Sequence, residues 1–189
     1  MRIGPQFTKT ASLIDAPTCT MFHVKRGERQ REWDADSLYV YGLRLLTYRP
    51  RSEREVRQRF GQRGAPAELV DGVVERLRAA GLVDDAAFAQ TWVESRRRAS
   101  PRGDRLLRSE LFGKGIARDV VAETMEGAEA DPLALAHAAA AKKARTLAGQ
   151  PEPAFRRKLM DFLLRRGFDY EVAGRVVREL AQATDPDSA

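Results

Sequence analysis

The 189 residues are 43% hydrophobic and 32% charged, and 33 Lys and Arg against 27 Asp and Glu leave a net charge of +6 and a pI near 9.8. That apolar share is enough for a core and excludes wholesale disorder, while 7% aromatics leave Leu, Val and Ala to fill it. The lone Cys19 excludes an internal disulfide and a Cys-based zinc site, and no run approaches the roughly 18 apolar residues of a membrane span or carries the apolar stretch of a signal peptide, so a cytoplasmic protein is expected.

Residues 1–36 are read as a flexible tail, because Pro5, Pro17 and scattered threonines interrupt any period; a short strand in "MFHVKRG" is the most that they offer. From Ser37 onward the texture is helical. "SLYVYGLRLLTY" sets Leu38, Tyr41 and Leu45 on one face. Three later segments then share one frame: "PRSEREVRQRFGQRG", "PRGDRLLRSELFGKG" and "PAFRRKLMDFLLRRG". In each the glycine stands 14 positions after the proline, and the glycines Gly64, Gly115 and Gly167 lie 51 and 52 residues apart. An apolar residue stands eight before each glycine (Val56, Leu107, Leu159), another four before (Phe60, Leu111, Leu163), and a basic residue directly before (Arg63, Lys114, Arg166).

Each frame reads as helix, glycine turn, helix. A proline near a helix start loses no needed N–H, and Ser52 with Glu55 fits a capping box, as Ser100 fits a cap for a helix opening at Pro101. The glycine supplies the left-handed conformation that ends a helix, and the basic residue before it suits the negative end of the dipole. A further helix precedes the second and third frames: "DDAAFAQTWVESRRR" and the alanine-rich "DPLALAHAAAAKKARTL". The expected fold is therefore all-α: three tandem three-helix repeats at 37–80, 81–127 and 128–183, about nine helices in all, with residues 184–189 as a C-terminal tail. Stacking of such small units predicts an elongated, curved body, weakest at "EGAEADP" (126–132) and tighter at "GLVDD" (81–85).

Little in the chain carries catalytic chemistry. Asp84, Asp85 and Glu94 invite a magnesium nuclease, but aspartates after Gly-Leu-Val and before an alanine-rich helix are better read as N-cap and first-turn residues. His23 and His137 are too far apart in sequence to form a local ligand pair, and neither a phosphate-binding glycine loop nor a triad is recognisable. No enzyme activity, metal or cofactor is expected. The basic residues are more informative. From Arg96 to Lys114 seven basic residues (Arg96, Arg97, Arg98, Arg102, Arg105, Arg108, Lys114) face two acidic ones, and from Lys142 to Arg166 eight face two, so the charge is concentrated in these windows. Arg105 and Arg108 lie within about 60° on a helix whose Leu107 and Leu111 face elsewhere. Such an arginine stripe repels itself unless an anion is near, and arginine suits bidentate contact with phosphate or carboxylate. The helices after Gly64 and Gly115 open "APAELVDG" and "IARDVVAE", acidic and apolar rather than base-reading, which argues against sequence-specific DNA recognition.

At "GLVDDAAFAQTWVESRRRASPRGDRLLRSELFGKGI", residues 81–116, the chain resembles the RecX family of regulatory proteins, and the likeness extends over roughly 37–182. The resemblance implies three-helix repeats, binding to the RecA recombinase filament along its groove, reduced ATP hydrolysis and strand exchange, contact with DNA in some members, and no enzymatic activity. The partner-facing surface is then expected at Arg96, Arg97, Arg98, Arg102, Arg105, Arg108 and Lys114, with Arg156, Arg157, Lys158, Arg165 and Arg166 as a second strip, and Phe88 and Trp92 in the core. A monomer that binds RecA and possible single- or double-stranded DNA is the leading reading. A sequence-independent DNA-binding helical protein that acts without RecA is the alternative.

Overall fold

The computed structural model describes residues 32–128 and 130–183. The tail to residue 31, with Cys19, His23 and the strand expected in "MFHVKRG", and the tail at 184–189 lie outside the described residues. Within them the chain is nine helices and no strand: α1 (Ala35–Tyr48), α2 (Glu53–Gln62), α3 (Ala67–Ala79), α4 (Asp85–Ala99), α5 (Asp104–Gly113), α6 (Arg118–Gly127), α7 (Pro132–Leu147), α8 (Glu152–Arg165) and α9 (Tyr170–Gln182). They pack in sequential threes, α1–α3, α4–α6 and α7–α9.

Each group closes over its own core. Leu38, Val56, Phe60, Val70, Val73, Val74 and Leu77 fill the first; Phe88, Ala89, Val93, Leu107, Leu111, Val121 and Met125 the second; Ala136, Ala140, Phe155, Leu159, Leu163, Ala173 and Val176 the third. The six apolar positions of the shared frame are all fully buried. Each such side chain contributes about 1.5–3 kcal/mol, which is why the frame persists while the surface between its positions varies. Val83 packs with the first core although it precedes α4, so the link between the first two groups is tied down by apolar contact.

Two expected caps are built differently. Ser52 does cap α2, accepting from the Glu55 backbone N–H at 3.3 Å, but Glu55 does not reach back: its carboxylate is taken by Arg49 and Lys114. Ser100 caps nothing, because α5 begins only at Asp104 with Gly103 as its N-cap, and the Ser100 hydroxyl accepts from Arg166 instead. Pro50 and Pro101 accordingly stand ahead of their helices, and only Pro153 lies inside one. A full capping box forms where none was foreseen, between Asp34 and Ser37 at the start of α1.

The frame glycines end their helices as expected, with φ of +74° at Gly64, +86° at Gly115 and +85° at Gly167. Two of them do more. The turn after α5 is seated on the start of α2: the Ser52 hydroxyl donates to the Lys114 carbonyl at 2.7 Å, and a Cβ on Gly115 would lie 2.5 Å from the Arg54 side chain. The turn after α8 is seated on the start of α5 in the same way. There the Gly103 N–H donates to the Arg166 carbonyl at 2.9 Å, and a Cβ on Gly167 would lie 2.5 Å from the Leu106 backbone nitrogen. The second helix of one repeat thus docks by its C-terminal end on the N-terminal end of the second helix before it. At the first repeat the equivalent carbonyl, that of Arg63, accepts from the Trp33 indole N–H at 3.0 Å.

Candidate interaction face

Of the basic residues singled out in the sequence, three reach across these joints, five are held within their own repeat and four are unengaged. Arg96, Arg97 and Arg98 occupy the last turn of α4, where positive charge suits the helix end. The Glu110 carboxylate on α5 binds three groups at once: the Trp92 indole N–H at 3.0 Å, Arg96 at 3.6 Å, and Arg102. Trp92 is half-buried and stacks on Phe88, 5.7 Å between ring centroids. The Arg96 guanidinium lies 4.0 Å and the Lys114 ammonium 4.8 Å from the Trp92 ring centroid. Phe88 is core, as expected; Trp92 is an organiser of charge as well.

Arg97 bonds Asp104 at 3.3 Å and the Ala128 carbonyl, bracing the second repeat from its first helix to the end of its third. Arg105 donates to the Leu164 carbonyl at 2.8 Å across the second joint, and Lys114 donates to Glu55 at 2.6 Å across the first. On α8, Arg156 pairs with Glu152 at 2.5 Å and Lys158 donates to Gln150 at 2.8 Å. Arg166 reaches Ser100 at 2.9 Å and the Pro101 carbonyl at 3.3 Å, with its guanidinium 4.9 Å from the Phe162 ring centroid. Arg98, Arg108, Arg157 and Arg165 make no ion pair or side-chain hydrogen bond among the described residues. The two expected strips therefore divide three ways: Arg105, Lys114 and Arg166 bond across a joint, Arg96, Arg97, Arg102, Arg156 and Lys158 are held within their own repeat, and four guanidiniums are unengaged.

The charges perturb one another. Burial first, then the neighbouring Arg96 and Arg166, lower the pKa of Arg102. Burial alone would raise the Glu55 carboxyl, but hydrogen bonds from Arg49 and Lys114 outweigh it and hold that carboxyl below its usual range. Asp84 caps α4 through the N–H groups of Ala86 and Ala87, as read from the sequence. Asp85 crosses the first joint to accept from the Glu53 N–H at 2.8 Å, and burial raises its pKa. No three His, Cys, Asp or Glu side chains converge as metal ligands among the described residues. His137 pairs with Glu179 at 2.7 Å.

Sequence reading missed the first repeat's share of this face. Arg54, Arg105 and Arg157 occupy the same frame position, four residues after the proline, and all three are exposed. Burial, followed by the nearby Arg49 and Arg59, lowers the pKa of Arg51, which marks a second crowded cationic patch. The signal lies in the frame alignment and not in the net charge, because the arginines of the first repeat are interleaved with glutamates.

Three three-helix groups, joined by one recurring seat and edged with arginine, make this a tandem helical-repeat protein. The same three groups match the RecX family: residues 39–77 its first three-helix domain, 84–125 its second and 129–177 its third. The chain belongs to the RecX family. It is 38% identical to the regulatory protein RecX of Mycobacterium avium over 152 residues, 79% of this chain and 86% of that one. The RecX of Thermobifida fusca is 34% identical over 142 residues, 75% of this chain and 77% of that one. A crystal structure of regulatory protein RecX aligns with a TM-score of 0.68 at 26% identity, covering 75% of this chain and 72% of that one. The crystal structure of RecX from Lactobacillus salivarius shares the fold, with a TM-score of 0.65 at 19% identity over 77% of this chain and 96% of that one. Among the described residues no helix is long and apolar enough to cross a membrane.

Proposed function

We propose that this protein binds the RecA nucleoprotein filament in the cytoplasm and lowers its DNA-dependent ATP hydrolysis and strand exchange, acting as a monomer and without catalytic activity of its own. The repeats, taken as 37–80, 81–127 and 128–183, lie along the filament and present the cationic joints to its acidic surface or to the DNA inside it. The single observation that carries the reading, beyond family membership, is the excess of guanidinium over carboxylate around α5 and α8. Four arginines there are spared from internal pairing, and unneutralised arginine at that density favours a polyanionic partner. The acidic and apolar openings of α3 and α6 support a partner recognised by charge and shape rather than by base sequence.

The test is RecA's ATPase on single-stranded DNA, with this protein added at substoichiometric and at equal amounts. Inhibition well below one molecule per RecA supports the reading. An unchanged ATPase, together with salt-sensitive DNA binding in a RecA-free control, would transfer the function to the alternative of a DNA-binding protein independent of RecA. Arg105→Glu with Arg108→Glu should weaken filament binding while leaving helicity intact; equal binding by variant and wild type would remove this stripe from the interface.

A further inference from the structure

The two joints share one backbone design but differ in charge, and the difference points to a ligand. In the first joint Lys114, the residue before the frame glycine, meets a carboxylate. Glu55 stands five positions after Pro50 and accepts from Lys114 at 2.6 Å and from Arg49 at 2.8 Å. In the second joint the equivalent cation is Arg166, and the residue five positions after Pro101 is Leu106. Arg166 therefore donates only to neutral oxygens, the Ser100 hydroxyl and the Pro101 carbonyl. Around it stand Arg165, which is exposed and unengaged, and Arg102, which shares Glu110 with Arg96. One carboxylate thus faces four guanidiniums.

Arg102, Arg165 and Arg166 line a cleft of about 340 Å³ whose wall is completed by Ser100, Leu106 and Phe162, with no acidic side chain in it. We propose that this cleft between the second and third repeats is a phosphate-binding site, in which the ligand's oxygens take the place that the Glu55 carboxylate fills in the first joint. Phosphate fits better than a carboxylate because the donors converge from both repeats. Arg102 and Ser100 come from one, Arg165 and Arg166 from the other, and a tetrahedral anion can accept from all of them while offsetting more than one charge. Occupancy would also pin the third repeat to the second, since the anion bridges groups on both sides of the joint. The site requires no RecA and so stands apart from the filament reading.

The test uses the full chain with inorganic pyrophosphate as probe at low ionic strength, read by thermal melting and by calorimetry. Leu106→Glu builds into the second joint the carboxylate that the first already has. Arg165→Gln removes a donor that holds nothing together internally, so its fold is safe even if Leu106→Glu fails to fold. Pyrophosphate is expected to raise the wild-type melting temperature and to bind Leu106→Glu about tenfold and Arg165→Gln about threefold more weakly. An equal response in all three proteins, or none in the wild type, overturns the site. A labelled oligothymidylate identifies the source. If both substitutions weaken it, the phosphate belongs to a nucleic-acid strand; if they weaken pyrophosphate alone, it is a free phosphate, and either result supports the site. If polyglutamate binding responds to the substitutions and pyrophosphate binding does not, the cleft serves acidic protein side chains and the phosphate assignment falls.

Discussion

Three glycines separate the two demands that the joints make on the chain. Gly64 has φ +74° and open space where a Cβ would stand, so Gly64→Ala tests conformation alone and should cost about 1 kcal/mol. Gly103 has an ordinary φ of −73°, but a Cβ there would sit 2.2 Å from the Gly167 carbonyl oxygen. Gly103→Ala therefore tests close approach alone. Forcing two backbones apart costs about 1–3 kcal/mol, and loss of the Gly103 N–H bond to Arg166 adds about 1. Gly167 carries both demands, with φ +85° and a Cβ position 2.5 Å from the Leu106 nitrogen, so Gly167→Ala should cost about 3–5 kcal/mol. Urea unfolding followed by circular dichroism measures all three. The Gly103 and Gly167 variants should also split the transition, since a loosened joint lets the third repeat unfold apart from the second. A Gly103→Ala protein as stable as Gly64→Ala would refute the argument that the repeats meet backbone to backbone.

Gly115→Val should lower the melting temperature, through its positive φ and the Arg54 stem beside it, and an unchanged melting curve would remove the capping role. The Glu55 carboxyl is held below its unfolded pKa, so its contribution is complete above the ordinary glutamate range near 4 and is lost as pH falls through the lower folded value; Glu55→Gln should flatten the acid limb of a stability–pH profile. A double-mutant cycle of Glu55→Gln and Lys114→Met should return a coupling of about 1 kcal/mol that shrinks with salt, and a null coupling would deny the first joint its ion pair. Asp85→Asn keeps an oxygen for the Glu53 N–H and removes a charge that burial disfavours, so urea unfolding at neutral pH should show stability unchanged or raised.

The fold was legible because its rules are local. Leu107 and Leu111 declare a buried stripe by their spacing, and Gly115 declares a helix end because few other residues adopt its φ. The face was legible only as a composition. Lys114 finds Glu55 at a separation of 59 residues, Arg105 finds the Leu164 carbonyl at 59, and Arg166 finds Ser100 at 66. No helical period reports distances of that kind. Arg102 and Arg165 look alike in the sequence, yet one is braced by Glu110 and the other is spared, because only stacking decides which arginine meets a carboxylate. The misread caps have the same origin: Glu55 and Ser100 have local cap chemistry, but a neighbouring repeat claims the Glu55 carboxylate through Lys114 and the Ser100 hydroxyl through Arg166.

The seat between repeats joins two unlike surfaces, a glycine-ended turn and the start of a helix. Such a contact, repeated, neither closes into a ring nor counts its own copies, so nothing within it specifies where the array stops. The outer positions of the three described repeats carry different chemistry. At the first repeat the Trp33 indole takes the Arg63 carbonyl, the acceptor that a preceding helix start would otherwise claim. At the third, α8 opens behind Pro151, whose backbone nitrogen has no hydrogen to offer at the place where Ser52 and Gly103 each supply a donor. The two outer positions of the seat thus depart from the repeating pattern in opposite ways, a tryptophan that takes the Arg63 carbonyl and a proline that withholds a donor.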